Sequence, residues 1–490
     1  MAKDLRVKMS GQGKGKEILT NLSWKFAERI LAQGVSTIVS ILLARMLLPD
    51  DYGMITMVLV FINIANVFVT SGFGQSLIQD RESADMEFST MTFVSLAVSI
   101  VLYFIIFISA PYIARFYGMQ ELCSVLRVLA LKLPLAGYNS IQHAYVQKHM
   151  LFKKFFFSTL GGTIVSGVVG VVMAYYGFGV WALVAQYLTN SVIDTIVLCV
   201  TISWKPKMMY SNECLHRLFS FSWKLTGGDL IGAVYNELRA LIIGKVYSSS
   251  DLAFFNRGEQ FPNLIINNIN SSIISVLYPA MAQVNDVTAK VKEMTRKSIR
   301  ASAFFLFPLL VGLSVVAEPF VRVVLTEKWI GCIPYLRIAC FTQITVPLSS
   351  ANLQALKAMG RSDITMKLEF IKKVTGLILI ISTMRFGVIA IALSGLVYSI
   401  IAVVANATPN KKVLDYSYAE QCRDLLPFAS MSAIMGGFVY AMGFMPINDV
   451  MMIALQVFAG FVIYVGLAVL TRNDIMVRCI AVIKKRSRRK

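Results

Sequence analysis

Long apolar runs separated by short basic joints recur along all 490 residues, and no other feature constrains the folding of the chain as tightly. A membrane-crossing helix needs about 20 mostly apolar residues, and that ruler places about fourteen such runs along the chain. They centre at about residues 35, 65, 98, 134, 165, 190, 231, 265, 308, 346, 375, 397, 435 and 460. With 56% of residues hydrophobic and 15% charged, too little polar surface exists to solvate a globular exterior. Helical apolar patterning with short joints excludes a transmembrane barrel. No connection exceeds about 20 residues, so no soluble catalytic domain fits outside the bilayer. The expected fold is an all-α integral membrane protein of about 14 transmembrane helices.

The formal charge of +20 points to nucleic acid in a soluble protein, but here the cations sit in alternate joints. Lys148, Lys153 and Lys154, then Lys205 and Lys207, then Lys290 to Lys297, Lys357 with Arg361, and Lys411 with Lys412 mark one side. The amino-terminal tail and the carboxyl-terminal KKRSRRK belong with them. The intervening joints (PDDYG, YYGFG, MPIND) are nearly bare. The positive-inside rule then puts both ends in the cytoplasm and requires an even number of spans. Residues 1–21 are basic, but the run that follows contains Lys25, Glu28 and Arg29 and lacks a cleavage signature, so it reads as a retained first span.

The chain also resembles itself at an offset of about 200–210 residues. SWK at Ser23 recurs at Ser222, LLPDDYGMI answers SSSDLAFF, and APYIARFY answers AEPFVRVV. LRVLA at Leu126 answers LRIAC at Leu336, and GFGVWALVAQYL answers RFGVIAIALSGL. The repeat predicts a basic tail at 1–21, a six-helix bundle at 22–204, a linker at 205–217 and a second bundle at 218–410. Two additional helices at 411–472 and a basic tail at 473–490 complete the chain. Six spans per half give both halves one orientation, which makes this a parallel repeat with a site between the halves.

Polar residues inside apolar runs are the candidate functional residues, because a charge at mid-membrane costs about 2.5–3.5 kcal/mol on the insertion scale. In the eighth run Asn256, Gln260, Asn263, Asn267 and Asn270 follow three-and-four spacing and share one helix face, next to Arg257 and Glu259. The face either lines a wet cavity, or ties helices together while Arg257 reaches the interface. The first run repeats the pattern with Lys25, Arg29, Gln33 and Ser40; Glu28 pairs with Lys25, leaving Arg29 as net charge or as an interfacial anchor. Asp229 and Glu237 in the seventh run, Asp194 in the sixth and Glu259 in the eighth are the candidates for ion coupling or for neutralising Arg257. His143, near Lys132, Asn139 and Gln142, reads as a packed or interfacial histidine, and Glu369 reads as the partner of Lys372 or Lys373.

Several chemistries find no support in the sequence. The 7 cysteines and 3 histidines show no metal-ligand spacing. GQGKGKE at Gly11 lacks the spacing and preceding strand of a phosphate loop. No nucleophile–base pair or nucleotide fingerprint is present, so neither an enzyme nor a cofactor is expected.

ILLARMLLPDDYGMI followed by SGFGQSLIQ, then FFNRGEQFPNLI with LYPAMAQ, and YGFGVWALVAQYLT resemble the polysaccharide-transport branch of the multidrug/oligosaccharidyl-lipid/polysaccharide exporter superfamily. Phe255 stands where that branch commonly has tyrosine and Gly258 where it commonly has alanine. The resemblance covers nearly the whole chain. It implies a Wzx-like flippase that moves a polyprenyl-pyrophosphate-linked oligosaccharide across the bacterial plasma membrane by alternating access. Membrane lipid, a polysaccharide polymerase and glycosyltransferases are the implied partners, with a proton or sodium counter-ion. On that reading Lys25, Arg29 and Arg257 hold the pyrophosphate, and Gln260, Asn263 and Asn267 meet sugar. A drug/cation antiporter of the same superfamily and a membrane glycosyltransferase or polymerase are the rivals. The first calls for an acidic cavity, the second for a long external loop.

Overall fold

The computed structural model describes residues 31–79 and 85–477, the side chains of 152–155, 157–158, 221 and 224 excepted. Lys25, Glu28, Arg29 and both tails lie outside these residues. Described residues are helical, with no strand among them. The first half runs α1 (Leu31–Met46), α2 (Pro49–Thr70), α3 (Phe73–Gln79), α4 (Asp85–Tyr117), α5 (Glu121–Leu129), α6 (Lys132–Lys148), α7 (Phe152–Tyr175) and α8 (Val180–Thr201). Next come α9 (Asn212–Val246), α10 (Ser249–Ala282), α11 (Thr288–Val315) and α12 (Ala317–Val324), then a 3-10 turn at Glu327–Cys332. The chain continues through α13 (Ile333–Ile344), α14 (Val346–Ala358), α15 (Ser362–Thr383), α16 (Val388–Val413), α17 (Tyr418–Met442) and α18 (Asp449–Leu470).

Every expected span centre falls on a helix. By length and apolarity nine described helices qualify as membrane spans, and Leu31–Met46 and Thr159–Tyr175 are apolar but shorter. Helix α9 has the length at 35 residues, but its sequence carries Lys224, Asp229, Glu237 and Arg239. The figure of fourteen is therefore not fixed by length and composition alone. The chain is a multi-pass membrane protein.

Compactness divides the chain into two units, residues 1–250 and 251–490. The bundle and linker boundaries expected from the repeat concern topology and stay a proposal. In the first unit α9 packs on α2, α3 and α4, and α6 packs on α2, α3, α4 and α8. Phe88, Met91, Ile141, Leu198 and Trp204 form a buried core near the α8–α9 connection. In the second unit α11 packs on α13, α14 and α17 around Phe304, Phe307, Tyr416, Phe428 and Met431.

The element order itself repeats: Pro49 and Ser249 begin corresponding helices, as do Phe152 and Ser362, and Val180 and Val388. One detail shows the repeat at the level of bonds. Pro111 lies inside α4 and has no N–H for the carbonyl of Phe107, one turn earlier. The Nε of Arg127, from α5, donates to that carbonyl at 3.2 Å. Its guanidinium also lies 4.3 Å from the centroid of the Phe107 ring. In the second unit the helix breaks before Pro319, and the Nε of Arg337 donates to the carbonyl of Ser314 at 3.3 Å. Arg127 and Arg337 are the arginines of LRVLA and LRIAC.

Candidate functional site

The α10 helix brings the second-unit candidates together. Arg257 is 4% exposed, and its guanidinium lies 4.8 Å from the centroid of the Trp329 ring. Its Nη1 donates to Oε1 of Gln260, one turn along, at 2.5 Å. Gly258 explains how this fits. A Cβ on that residue would lie 2.7 Å from the backbone nitrogen of Leu336 and 2.9 Å from the carbonyl of Cys332. Only a glycine lets α10 approach the start of α13 that closely, and the approach seats Arg257 over Trp329 in the preceding 3-10 turn. A stacked, desolvated guanidinium is worth about 2 kcal/mol. The resemblance noted alanine as the common residue at this position; glycine here is matched to a backbone contact.

Farther along α10 the amide row is partly engaged. Asn263 accepts from the Nε2 of Gln343 on α13, and Asn270 donates to the hydroxyl of Ser350 on α14 at 3.1 Å. Asn268 bonds back to the Leu264 carbonyl at 2.9 Å. Asn263 and Asn270 thus tie α10 to its neighbours. Asn267 is exposed, and Glu259 and Gln260 are half-buried. Interhelical bonding and an accessible polar face coexist on one helix.

The first unit holds a second constellation. Oδ2 of Asp194, on α8, lies 3.1 Å from Nε2 of His143 and accepts from Nδ2 of Asn139 at 3.1 Å, both on α6. Asn139 and His143 are four residues apart and therefore share a face. The pair is partly buried, with side-chain exposures of 26% for His143 and 20% for Asp194. His143, read from the sequence as a packed or interfacial histidine, is part-buried and faces a carboxylate from a residue 51 positions away, a proximity no local pattern reveals. On α6, one face also carries Lys132 (Nζ 5.5 Å from the Tyr187 ring centroid) and Gln142 (donating to the Tyr138 hydroxyl at 3.0 Å).

The corresponding joint in the second unit, between α14 and α16, is built from neutral amides. Asn410 donates to Oδ1 of Asn352 at 2.7 Å, Asn352 donates to Oε1 of Gln421 on α17 at 2.8 Å, and Asn406 donates to Ser349 at 2.7 Å. The ionisable pair therefore belongs to the first half of the repeat. Of the other coupling candidates, Glu237 accepts from Asn63 on α2 at 3.0 Å, and Asp229 is exposed on α9. Glu369 pairs with Lys372 at 2.5 Å, as expected. Among the described residues no cluster of three or more His, Cys, Asp or Glu could hold a metal ion.

In the N-terminal third of α11, Arg296 donates to Asp424 of α17 at 2.5 Å, and the hydroxyl of Tyr416 donates to the same carboxylate at 2.8 Å. Burial first, and then the Asp424 hydrogen bond, push the Tyr416 hydroxyl well above its ordinary range, so it remains a donor. Nothing in the sequence patterns marked this cluster.

Comparison with known proteins agrees with this architecture. The chain is 21% identical to the succinoglycan biosynthesis transport protein ExoT of Rhizobium meliloti (strain 1021), over 97% of both chains. It is 24% identical to the lipopolysaccharide biosynthesis protein WzxC of Escherichia coli (strain K12), over 84% of this chain and 85% of that one. The fold matches the lipid II flippase MurJ in an inward closed conformation, with a TM-score of 0.74 and 16% identity over 94% of this chain and all of that one. It also matches an inward-facing multidrug resistance MATE transporter of the MOP superfamily, with a TM-score of 0.59 and 14% identity, over 79% of this chain and 99% of that one. Residues 42–334, more than half of the sequence, match the family described as polysaccharide biosynthesis protein, and the chain belongs to that family.

Proposed function

We propose that this protein is a transporter that moves a lipid-linked oligosaccharide, carried on a polyprenyl pyrophosphate, across the bacterial plasma membrane for surface polysaccharide assembly. The observation that carries the reading is Arg257: a guanidinium enclosed within a membrane helix unit, stacked on Trp329 and followed by amides on the same helix. An arginine fork binds phosphate oxygens through two parallel bonds, and amides serve sugar hydroxyls. The pyrophosphate takes the place of Gln260 on Arg257, and the sugars meet Asn263 and Asn267. Lys25 and Arg29 add cations near the loading side. The names of ExoT and WzxC and the MurJ-like fold support the assignment.

In this reading residues 22–204 and 218–410 form two bundles that rock about the linker at 205–217, with both termini cytoplasmic. Asp194 with His143 is the coupling pair, exchanging a proton for the outward step; a carboxylate–imidazole pair at 3.1 Å is suited to that role. The product feeds a polymerase, and glycosyltransferases supply the substrate. A drug/cation antiporter fits less well, because Arg257 repels an organic cation.

Complementation of a flippase-deficient strain tests the assignment. The intact chain is expected to restore surface polymer when the glycosyltransferases for its own substrate are co-expressed. Full protein levels with no polymer under those conditions refute it.

A further inference from the structure

Two cavities meet end to end in the second unit. Phe304, Leu309, Val439, Phe461 and Tyr464 wall an apolar groove of about 740 Å³ between α11, α17 and α18. Where α11 gives way to α12 and α18 begins, a polar pocket of about 380 Å³ is lined by Glu318, Arg322, Arg337 and Asp449. Gln456 borders both. It is 2% exposed, its Nε2 donates to the Val439 carbonyl at 3.0 Å, and its Oε1 has no hydrogen-bond partner. A buried acceptor left unsatisfied costs about 1–3 kcal/mol.

The pocket's charges narrow the choice of occupant. Arg322 is closed by Glu318 at 3.2 Å and by Glu327. Arg337 spends its Nε on the Ser314 carbonyl. Arg337 and Asp449 line one pocket, and neither forms an ion pair among the described residues. A cation and an anion held apart in one pocket complement a zwitterion. A pyrophosphate, with two or more negative charges, would face Asp449 and Glu318 as well as Arg337.

We propose that this is a site for one bilayer phospholipid with an ethanolamine headgroup. Its phosphate meets Arg337, its ammonium meets Asp449, and an acyl chain fills the groove beyond Gln456. Charge-assisted bonds of this kind are shorter and stronger than neutral ones. The site rests on the membrane location of the chain and not on the translocation reading.

The full chain, reconstituted in nanodiscs of equal parts phosphatidylethanolamine and phosphatidylglycerol, is stripped with mild detergent and weighed by native mass spectrometry. The expected result is one retained phosphatidylethanolamine per chain, with retention falling about tenfold in Arg337→Gln and in Asp449→Asn. Gly312→Leu, which fills the groove from a position with only Met435 nearby, gives the same loss. Thermal melts confirm that the variants fold; Arg337→Gln also gives up the bond to the Ser314 carbonyl, so Asp449→Asn, at a residue in no ion pair among the described residues, is the variant that separates lipid retention from stability. Equal retention of both lipids, retention of none, or displacement by added polyprenyl phosphate overturns the proposal.

Discussion

Arg257 offers the sharpest separation of architecture from transport. Its stack on Trp329 is worth about 2 kcal/mol when desolvated. Its charge-assisted bond to Gln260 adds about 1.5–3 kcal/mol. Arg257→Ala forfeits both and leaves a void, so a loss of about 3.5–5 kcal/mol is expected, a large share of a typical 5–15 kcal/mol. Reduced protein in that variant says nothing about transport. Arg257→Lys is the informative change. It keeps the positive charge and much of the stem packing, and loses the planar fork that grips a phosphate through two bonds. The assay is surface polymer per folded protein in the complemented strain, with thermal melting in detergent as the control. Lysine is expected to keep at least half the wild-type protein level while polymer synthesis falls about tenfold, the worth of one lost charge-assisted bond. Arg257→Gln, with no charge, is expected to fall further. If Arg257→Gln transports at the wild-type rate, the reasoning from buried charge to substrate phosphate is wrong.

Other consequences can be checked separately. Gly258→Val drives a side chain into the Leu336 nitrogen and the Cys332 carbonyl, and is expected to lower the melting temperature and abolish polymer even though Arg257 is untouched. Asp194→Asn and His143→Gln are each expected to uncouple transport in proteoliposomes from an imposed proton gradient; unchanged gradient dependence in both removes the pair from coupling. Arg127→Leu leaves the Phe107 carbonyl without its donor, and a loss of about 1–3 kcal/mol, read as faster amide exchange around Pro111, is expected. Asp424→Asn weakens the hold of α17 on α11 by about 1–2 kcal/mol, moderated because Arg296 also lies 3.8 Å from Glu420 and is partly in water.

The apolar runs and the doubled element order were legible in the sequence because a bilayer imposes length and hydropathy on each helix alone. The polar face of α10 was legible for a similar reason: helical spacing is local. What Asn263 and Asn270 do with that face was not, since Gln343 and Ser350 lie 80 residues away in sequence. The Asp194–His143 contact escaped for the same cause, and so did the division of labour between an ionisable joint in one half and an amide joint in the other. Gly258 was visible as a departure from the common residue, but its meaning depended on the approach of α13.

The arginines that answer Pro111 and Pro319 carry a consequence for assembly. Each one mends the backbone of its own half, with a donor drawn from only 20 to 23 residues downstream of the stranded oxygen. Neither half borrows hydrogen-bonding capacity from the other at these breaks. A nascent first half can therefore sit in lipid with that break already healed, before the second half has been synthesised.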